Sequence, residues 1–380
     1  MRRRRLSRVL ACVVLVIVAR RAVVPAAVAA ASAGEPTAKA VSDALPPPDG
    51  RELYGEACAA CHGADGRGST ATGVTVPLPD FTDCRVTTAE PDSNWLPLVA
   101  HGGPALGMSS QMPSFDGALT ADQQRAVLAY VRSFCTDPAW PQGDLNFPQP
   151  LFVGKAFPED EIVVHASFGD SSSARELAGD LAFERRVGAR GQVEIALPAQ
   201  LVDEKHGGPT AGGFGDLTLA YKHVAYAGLA PPAIASLAVD LVLPSGDAAK
   251  GTGEGTVAFE PALLAGARAG PLILQTDFRA ALPIDASSAP RVFFYRFALQ
   301  APLGAMRRSL VPALELETAQ RIDGDFHDYT ALGPTFYVPL SKRGHVALAL
   351  GGQVPVSAHR PFDYRVSALV LWDYLDGPLW

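Results

Sequence analysis

Two thiols and an imidazole stand together in Cys58-Ala59-Ala60-Cys61-His62. Cysteines at this spacing can each add to a vinyl group of one haem, and the adjacent histidine then meets the iron from the same side. The motif therefore reads as covalent attachment of a single haem c. A CxxC pair could otherwise serve redox exchange or supply half a zinc site. Zinc would need a second ligand pair at suitable spacing, which the sequence does not supply.

The surrounding residues suit a flat cofactor. Residues 50–60 can form a short helix carrying both cysteines on consecutive turns. Gly63-Ala64-Asp65-Gly66-Arg67-Gly68 is a Gly-rich loop that lets backbone pass close to a ring. Further on, Gln111-Met112-Pro113-Ser114-Phe115 precedes a second helix signal. There Thr120 and Gln123 have capping-box spacing, and Val127, Leu128, Val131 and Phe134 recur at helical period over Gln123–Phe134.

From Pro48 to Cys135 these features resemble the class I monohaem cytochromes c. The likeness rests on the CxxCH motif, a Met-Pro on a loop 50 residues after His62, and a closing amphipathic helix with an aromatic. It implies an all-α domain over 49–137 in which Cys58 and Cys61 hold one covalent haem c. His62 would be the proximal iron ligand and Met112 the distal one. A thioether opposite histidine raises the haem potential and suits electron transfer. Met108 and His101 are the alternative distal ligands, and His101 also reads as the cation that ends a helix. Cys84 and Cys135 remain after the haem pair and Cys12. In an exported chain they form a bridge, or else stay as two buried thiols.

Export is read from the N-terminus. Arg2 to Arg5 and Arg8 precede an apolar run, Val9 to Ala19, and Ala31-Ser32-Ala33 supplies a small-residue cleavage site. Residues 1–33 are thus expected to be a signal peptide, followed by a Pro/Ala-rich tether over 34–48. Taking the seven arginines of that peptide from the 32 basic residues leaves 25 against 39 acidic ones. An acidic exported chain is a poor nucleic-acid binder. With 48% apolar and 19% charged residues over 380 positions, the chain is globular and long enough for two or three domains. No apolar run past residue 30 approaches the ~20 residues of a spanning helix, which leaves a barrel as the membrane option.

Pro138, Pro141, Pro148, Pro150 and Pro158 break regular structure over 138–160, a second, Pro-rich linker expected to be extended. Phe147, Leu151 and Phe152 could dock from it. From residue 161 the period becomes 2. Ile162, Val164, Ala166 and Phe168 alternate with Val163, His165 and Ser167, and similar runs continue to residue 374. About twelve strands of roughly ten residues result, the sixth near 253–263. That length matches the 9–11 residues of a tilted transmembrane strand better than the ~5–6 of a sandwich strand. The opposite face carries Glu184, Glu194, Asp240, Asp277, Arg279, Arg296, Glu315 and Glu317, which suits a polar lumen. A soluble sandwich is the alternative. Gly215-Asp216-Leu217, Leu243-Pro244-Ser245-Gly246-Asp247 and Gly251-Thr252-Gly253 resemble an outer-membrane barrel family described as transporters of phenol meta-cleavage pathways. The resulting expectation is a multidomain chain: an all-α cytochrome c domain and an all-β antiparallel barrel over 161–380.

An even-stranded barrel begins and ends on the periplasmic side. A domain about 30 Å across does not enter a barrel whose backbone diameter is about 24 Å. The function expected is therefore one-electron transfer by a cytochrome held in the periplasm at the mouth of an outer-membrane barrel. It would exchange electrons with a periplasmic redox protein, and its barrel would contact lipid and could pass a small molecule. No catalytic constellation stands out: His165, His206, His223, His327, His345 and His359 are scattered. A transport barrel with a redox-sensing cytochrome, and a soluble periplasmic cytochrome feeding a β-domain enzyme, are the alternatives. The lumen could be open or plugged, with the Pro-rich linker as the candidate plug.

Overall fold

A computed structural model of the protein describes residues 48–68, 73–208, 210–303, 310–322 and 328–375. The expected signal peptide, nearly all of the first tether, and His327 lie outside them.

The N-terminal domain is helical. Its elements are α1 (Gly50–Ala57), α2 (Ala59–His62), α3 (Cys84–Ala89), α4 (Asp92–His101) and α5 (Ala121–Arg132). Their ends follow from local chemistry. Asp49 accepts the N–H groups of Arg51 and Glu52 at the start of α1, and both bonds of the Thr120–Gln123 capping box are present on α5. α1 crosses α5 so closely that a Cβ on Gly50 would fall 2.1 Å from the Ala126 carbonyl oxygen, so only glycine fits there. Tyr54, Phe81, Val127 and Val131 form the core. Cys84 and Cys135 are joined by a disulfide, with Cα atoms 4.9 Å apart, which ties α3 to the end of α5.

The second half is a closed antiparallel barrel. Its segments are β1 (Glu161–Asp170), β2 (Ala174–Val187), β3 (Gly191–Glu204), β4 (Thr210–Phe214), β5 (Leu217–Leu229), β6 (Pro232–Leu243), β7 (Ala258–Ala269), β8 (Leu272–Pro283), β9 (Val292–Gln300), β10 (Val311–Arg321), β11 (Tyr329–Pro339), β12 (Val346–Pro355) and β13 (Tyr364–Asp373). β4 and β5 both pair with β3 and form one interrupted strand, so the barrel has 12 strands. β1 pairs with β2 and β13, and β2 with β3, which closes the ring.

The alternation is inverted relative to a soluble core. Val370, Val164, Leu181 and Leu197 are neighbours along one outward row, and each is between 37% and 51% exposed. Inward, Asp277, Arg296 and Glu317 are direct cross-strand neighbours, and Arg296 reaches the two carboxylates at 3.2 and 2.7 Å. Arg365 reaches Glu317 from β13 at 2.9 Å, and Arg279 pairs with Asp240.

The sixth strand begins five residues later than its pattern predicts, at Ala258. Residues 244–257 are held away from the ladder by Asp216, whose two carboxylate oxygens accept the N–H groups of Gly246 and Glu254, each at 2.8 Å. The Ser245 hydroxyl accepts the Leu217 N–H at 2.8 Å. The three short motifs picked out of the sequence thus converge on one loop knot at the barrel end remote from the helical domain.

The Pro-rich segment does not run freely between the two domains. It enters the lumen and fills it. Leu145, Phe147, Leu151, Val153, Ala156 and Phe157 are all 6% exposed or less. The lumen's polar side chains satisfy its irregular backbone. Gln275 and Gln300 donate to the Pro148 carbonyl at 2.7 and 3.1 Å. Lys222 donates to the carbonyls of Lys155 and Phe157, each at 2.9 Å, and Ser236 to that of Ala156 at 2.6 Å. Non-helical backbone at such depth survives only when every group finds a partner. Gly266 makes room for Phe147, whose ring lies 2.8 Å from where a Cβ would stand.

Candidate haem site

α2 presents Cys58, its N-cap, and Cys61 beside His62 on one wall of a cavity of about 1040 Å³. Tyr54, Phe81, Trp95 and Val127 are among its apolar lining. The loop after His62 is fixed by the Tyr54 hydroxyl, which donates to the Gly63 carbonyl at 2.8 Å, and by the Gly68 N–H, which donates to the His62 carbonyl at 2.8 Å. The His62 ring stacks on Phe81 with centroids 5.0 Å apart. Burial lowers its pKa, which favours the neutral imidazole that ligates metals. Its Nδ1 is buried and has no hydrogen-bond partner among the described residues. Burial, with Cys61 beside it, pushes the Cys58 thiol up to about 11. It is thus a protonated thiol at neutral pH.

Met112 and Met108 both line this cavity. Met112 is half-buried, whereas Met108 is 43% exposed. The loop that carries them is pinned at both ends. The Gly103 N–H donates to the Met112 carbonyl at 3.0 Å, and the Met108 N–H donates to the Gly103 carbonyl at 2.8 Å. Gln111 accepts from the Thr75 N–H across the loop at 3.1 Å. His101 ends α4, as expected, and lies apart from the cavity lining, its Nδ1 3.9 Å from the Asp116 carboxylate.

These residues fit a covalent haem. Two thiols and a neutral imidazole share one wall, thioethers line the same cavity, and the volume matches the upper end of small-ligand sites, ~300–1,000 Å³. Bound haem supplies a reversible one-electron iron couple. The chain would contribute the thiols of Cys58 and Cys61 for attachment, the His62 imidazole and a thioether as iron ligands, and the apolar walls that exclude water.

Residues 48–134 match the family model for cytochrome c, so the N-terminal domain is a cytochrome c domain. No curated protein matches the chain. Among solved structures, the barrel is similar to an outer membrane channel from Pseudomonas putida F1, at 15% identity and a TM-score of 0.49, covering 60% of this chain and 99% of that one. It is also similar to the NanC porin, at 7% identity and a TM-score of 0.38, covering 56% and 98%.

One part of the cavity had no advance signal in the sequence. Its wall continues past the cytochrome fold to Trp140 and Asp160, and to Arg185 and Arg186 on the barrel strand β2. Only the pairing of β2 with β1 and the path of the plug bring Arg186 there.

Proposed function

We propose that this chain is a one-electron carrier with a single covalent haem c, anchored in the outer membrane by a barrel that does not conduct. Cys58 and Cys61 attach the haem, and His62 and Met112 are its axial ligands. The observation that carries the reading is the docking of the haem cavity onto one end of a barrel whose lumen is filled by residues 143–160. The apolar outward rows favour lipid over water, since soluble surfaces rarely expose apolar patches of this extent. Both barrel ends, Glu161 and Asp373, lie at the cytochrome end, which fits a cytochrome in the periplasm. Its electron partner would be a soluble periplasmic redox protein, and the chain itself is read as no enzyme.

The filled lumen favours an anchor over a conduit. Haem-stained gels of cell fractions, each run boiled and unboiled, test the proposal. A haem band in the outer membrane that migrates faster unboiled is expected. A haem band confined to the soluble periplasm would overturn it.

A further inference from the structure

The side chain of Arg186 points inward at the cytochrome end of β2. It lies over the Trp140 ring at 5.2 Å and over the Phe157 ring at 5.1 Å. All three guanidinium nitrogens are buried, and none has a hydrogen-bond acceptor among the described residues. Glu159, Asp160 and Asp373 are the acids that act on it, and each is engaged elsewhere; the Asp373 carboxylate accepts the Leu375 N–H at 3.2 Å. Asp160 accepts the Arg186 backbone N–H at 3.0 Å and lies 3.3 Å from the Arg185 guanidinium, and Glu159 pairs with Lys155. Leaving buried N–H donors of a cation unmade is costly, and folded proteins rarely do so. The aromatic faces compensate only in part. Arg186 lines the same cavity as Cys58, Cys61 and His62. Haem carries two carboxylates, the group that a guanidinium binds best.

We propose that the barrel completes the cofactor site: Arg186, outside the cytochrome c segment, is the counter-cation of a haem propionate. This rests on the haem reading above and adds to it that the cofactor is shared between the two domains. The barrel then tunes the couple, because a fixed positive charge beside the haem favours the ferrous state. An ion-paired propionate also stays ionised at neutral pH, so the potential is flat with pH there.

The test is redox titration of the full-length haem-loaded protein over a range of pH. Arg186→Gln is expected to keep its haem stain and its unboiled gel shift, and to lower the potential. It should also raise the propionate protonation constant about tenfold or more, which gives the potential a pH slope. Arg186→Lys should restore most of the loss. A Gln variant with wild-type potential and flat pH dependence overturns the proposal. So does a wild-type potential that follows the buffer anion, because the partner would then be a soluble anion. If Arg186→Gln fails to assemble, redox-difference infrared spectra of protein carrying labelled arginine decide the matter, recorded in an Arg85→Gln, Arg185→Gln background, because those two arginines also line the cavity. A label-sensitive guanidinium band supports the contact and its absence overturns it. Loss of haem staining in the wild type would instead sink the haem reading itself.

Discussion

Glu315 accepts the backbone N–H of Leu151 at 2.8 Å, deep in the barrel and 164 residues away in sequence. Its second carboxylate oxygen takes the Phe152 N–H at 2.8 Å, and the Thr335 hydroxyl completes the set at 2.6 Å. One carboxylate on β10 thereby replaces the ladder partners that the Pro-rich segment cannot have. The lumen residues that would line a water channel are spent on holding a polypeptide.

Glu315→Leu should loosen that segment. Two buried N–H groups lose their acceptor, at about 1–3 kcal/mol each. The temperature at which the unboiled form converts to the unfolded one should fall. Planar-bilayer recordings should show rare openings for the wild type and frequent ones for the variant. Wild-type conductance as large as the variant's would refute the filled lumen.

The cytochrome is docked rather than loosely hung. Asp144, at the start of the plug, pairs with Arg268 at 2.5 Å and accepts the Asp92 N–H at the head of α4 at 3.2 Å. Asn146 donates to the Ala89 carbonyl at 2.7 Å. Arg268 also covers Phe147 at 5.3 Å. Arg268→Ala removes a charge-assisted contact of about 1.5–3 kcal/mol and the cover of that ring. Limited proteolysis should then cut between residues 136 and 143 faster than in the wild type, with the haem still attached. An unchanged cleavage rate would mean that the contact does not hold the domains together.

Much of this arrangement was legible in the sequence because it is local. The CxxCH motif marks the cytochrome c segment within five residues, Thr120 and Gln123 fix a helix start, and period-2 alternation fixes which barrel face is apolar. The contacts that hold the plug were not legible, for a physical reason. An extended, Pro-rich stretch has no period, and its partners Gln275, Gln300, Glu315 and Lys222 are scattered over four strands. Phe147, Leu151 and Phe152 hinted at docking without saying onto what. Arg186 is harder still, since nothing in its own neighbourhood sets it apart from Arg185. The delayed start of β7 likewise depends on Asp216, more than 30 residues upstream.

Met112 and Met108 should separate cleanly. Under the proposed ligation, Met112→Ala should lower the potential and alter the axial-ligand spectrum, because methionine ligation raises haem potentials. Met108→Ala, on the more exposed side of the loop, should leave both unchanged. The reverse pattern would move the sixth ligand to Met108. Both variants should keep covalent haem, because the proposed attachment is through Cys58 and Cys61.

Acid should weaken the cytochrome domain through Asp83. This residue caps α3 by accepting the Arg85 N–H at 2.9 Å, and the Arg85 guanidinium bonds its other oxygen at 2.9 Å. The Arg85 side-chain bond holds the Asp83 carboxyl below its ordinary value. A carboxyl depressed in the folded state stabilises the fold above the unfolded pKa, and that stability is lost as pH falls through the folded one. The exposed ion pair adds little, so the cap dominates. Asp83→Ala should cost about 0.5–2 kcal/mol at neutral pH, read as a lower melting midpoint of the haem domain. Asp83→Asn keeps a capping oxygen but cannot titrate. Its midpoint should therefore fall less than the wild type's when both are taken from neutral pH to below about pH 4. Equal falls would show that the acid response of α3 lies in another group.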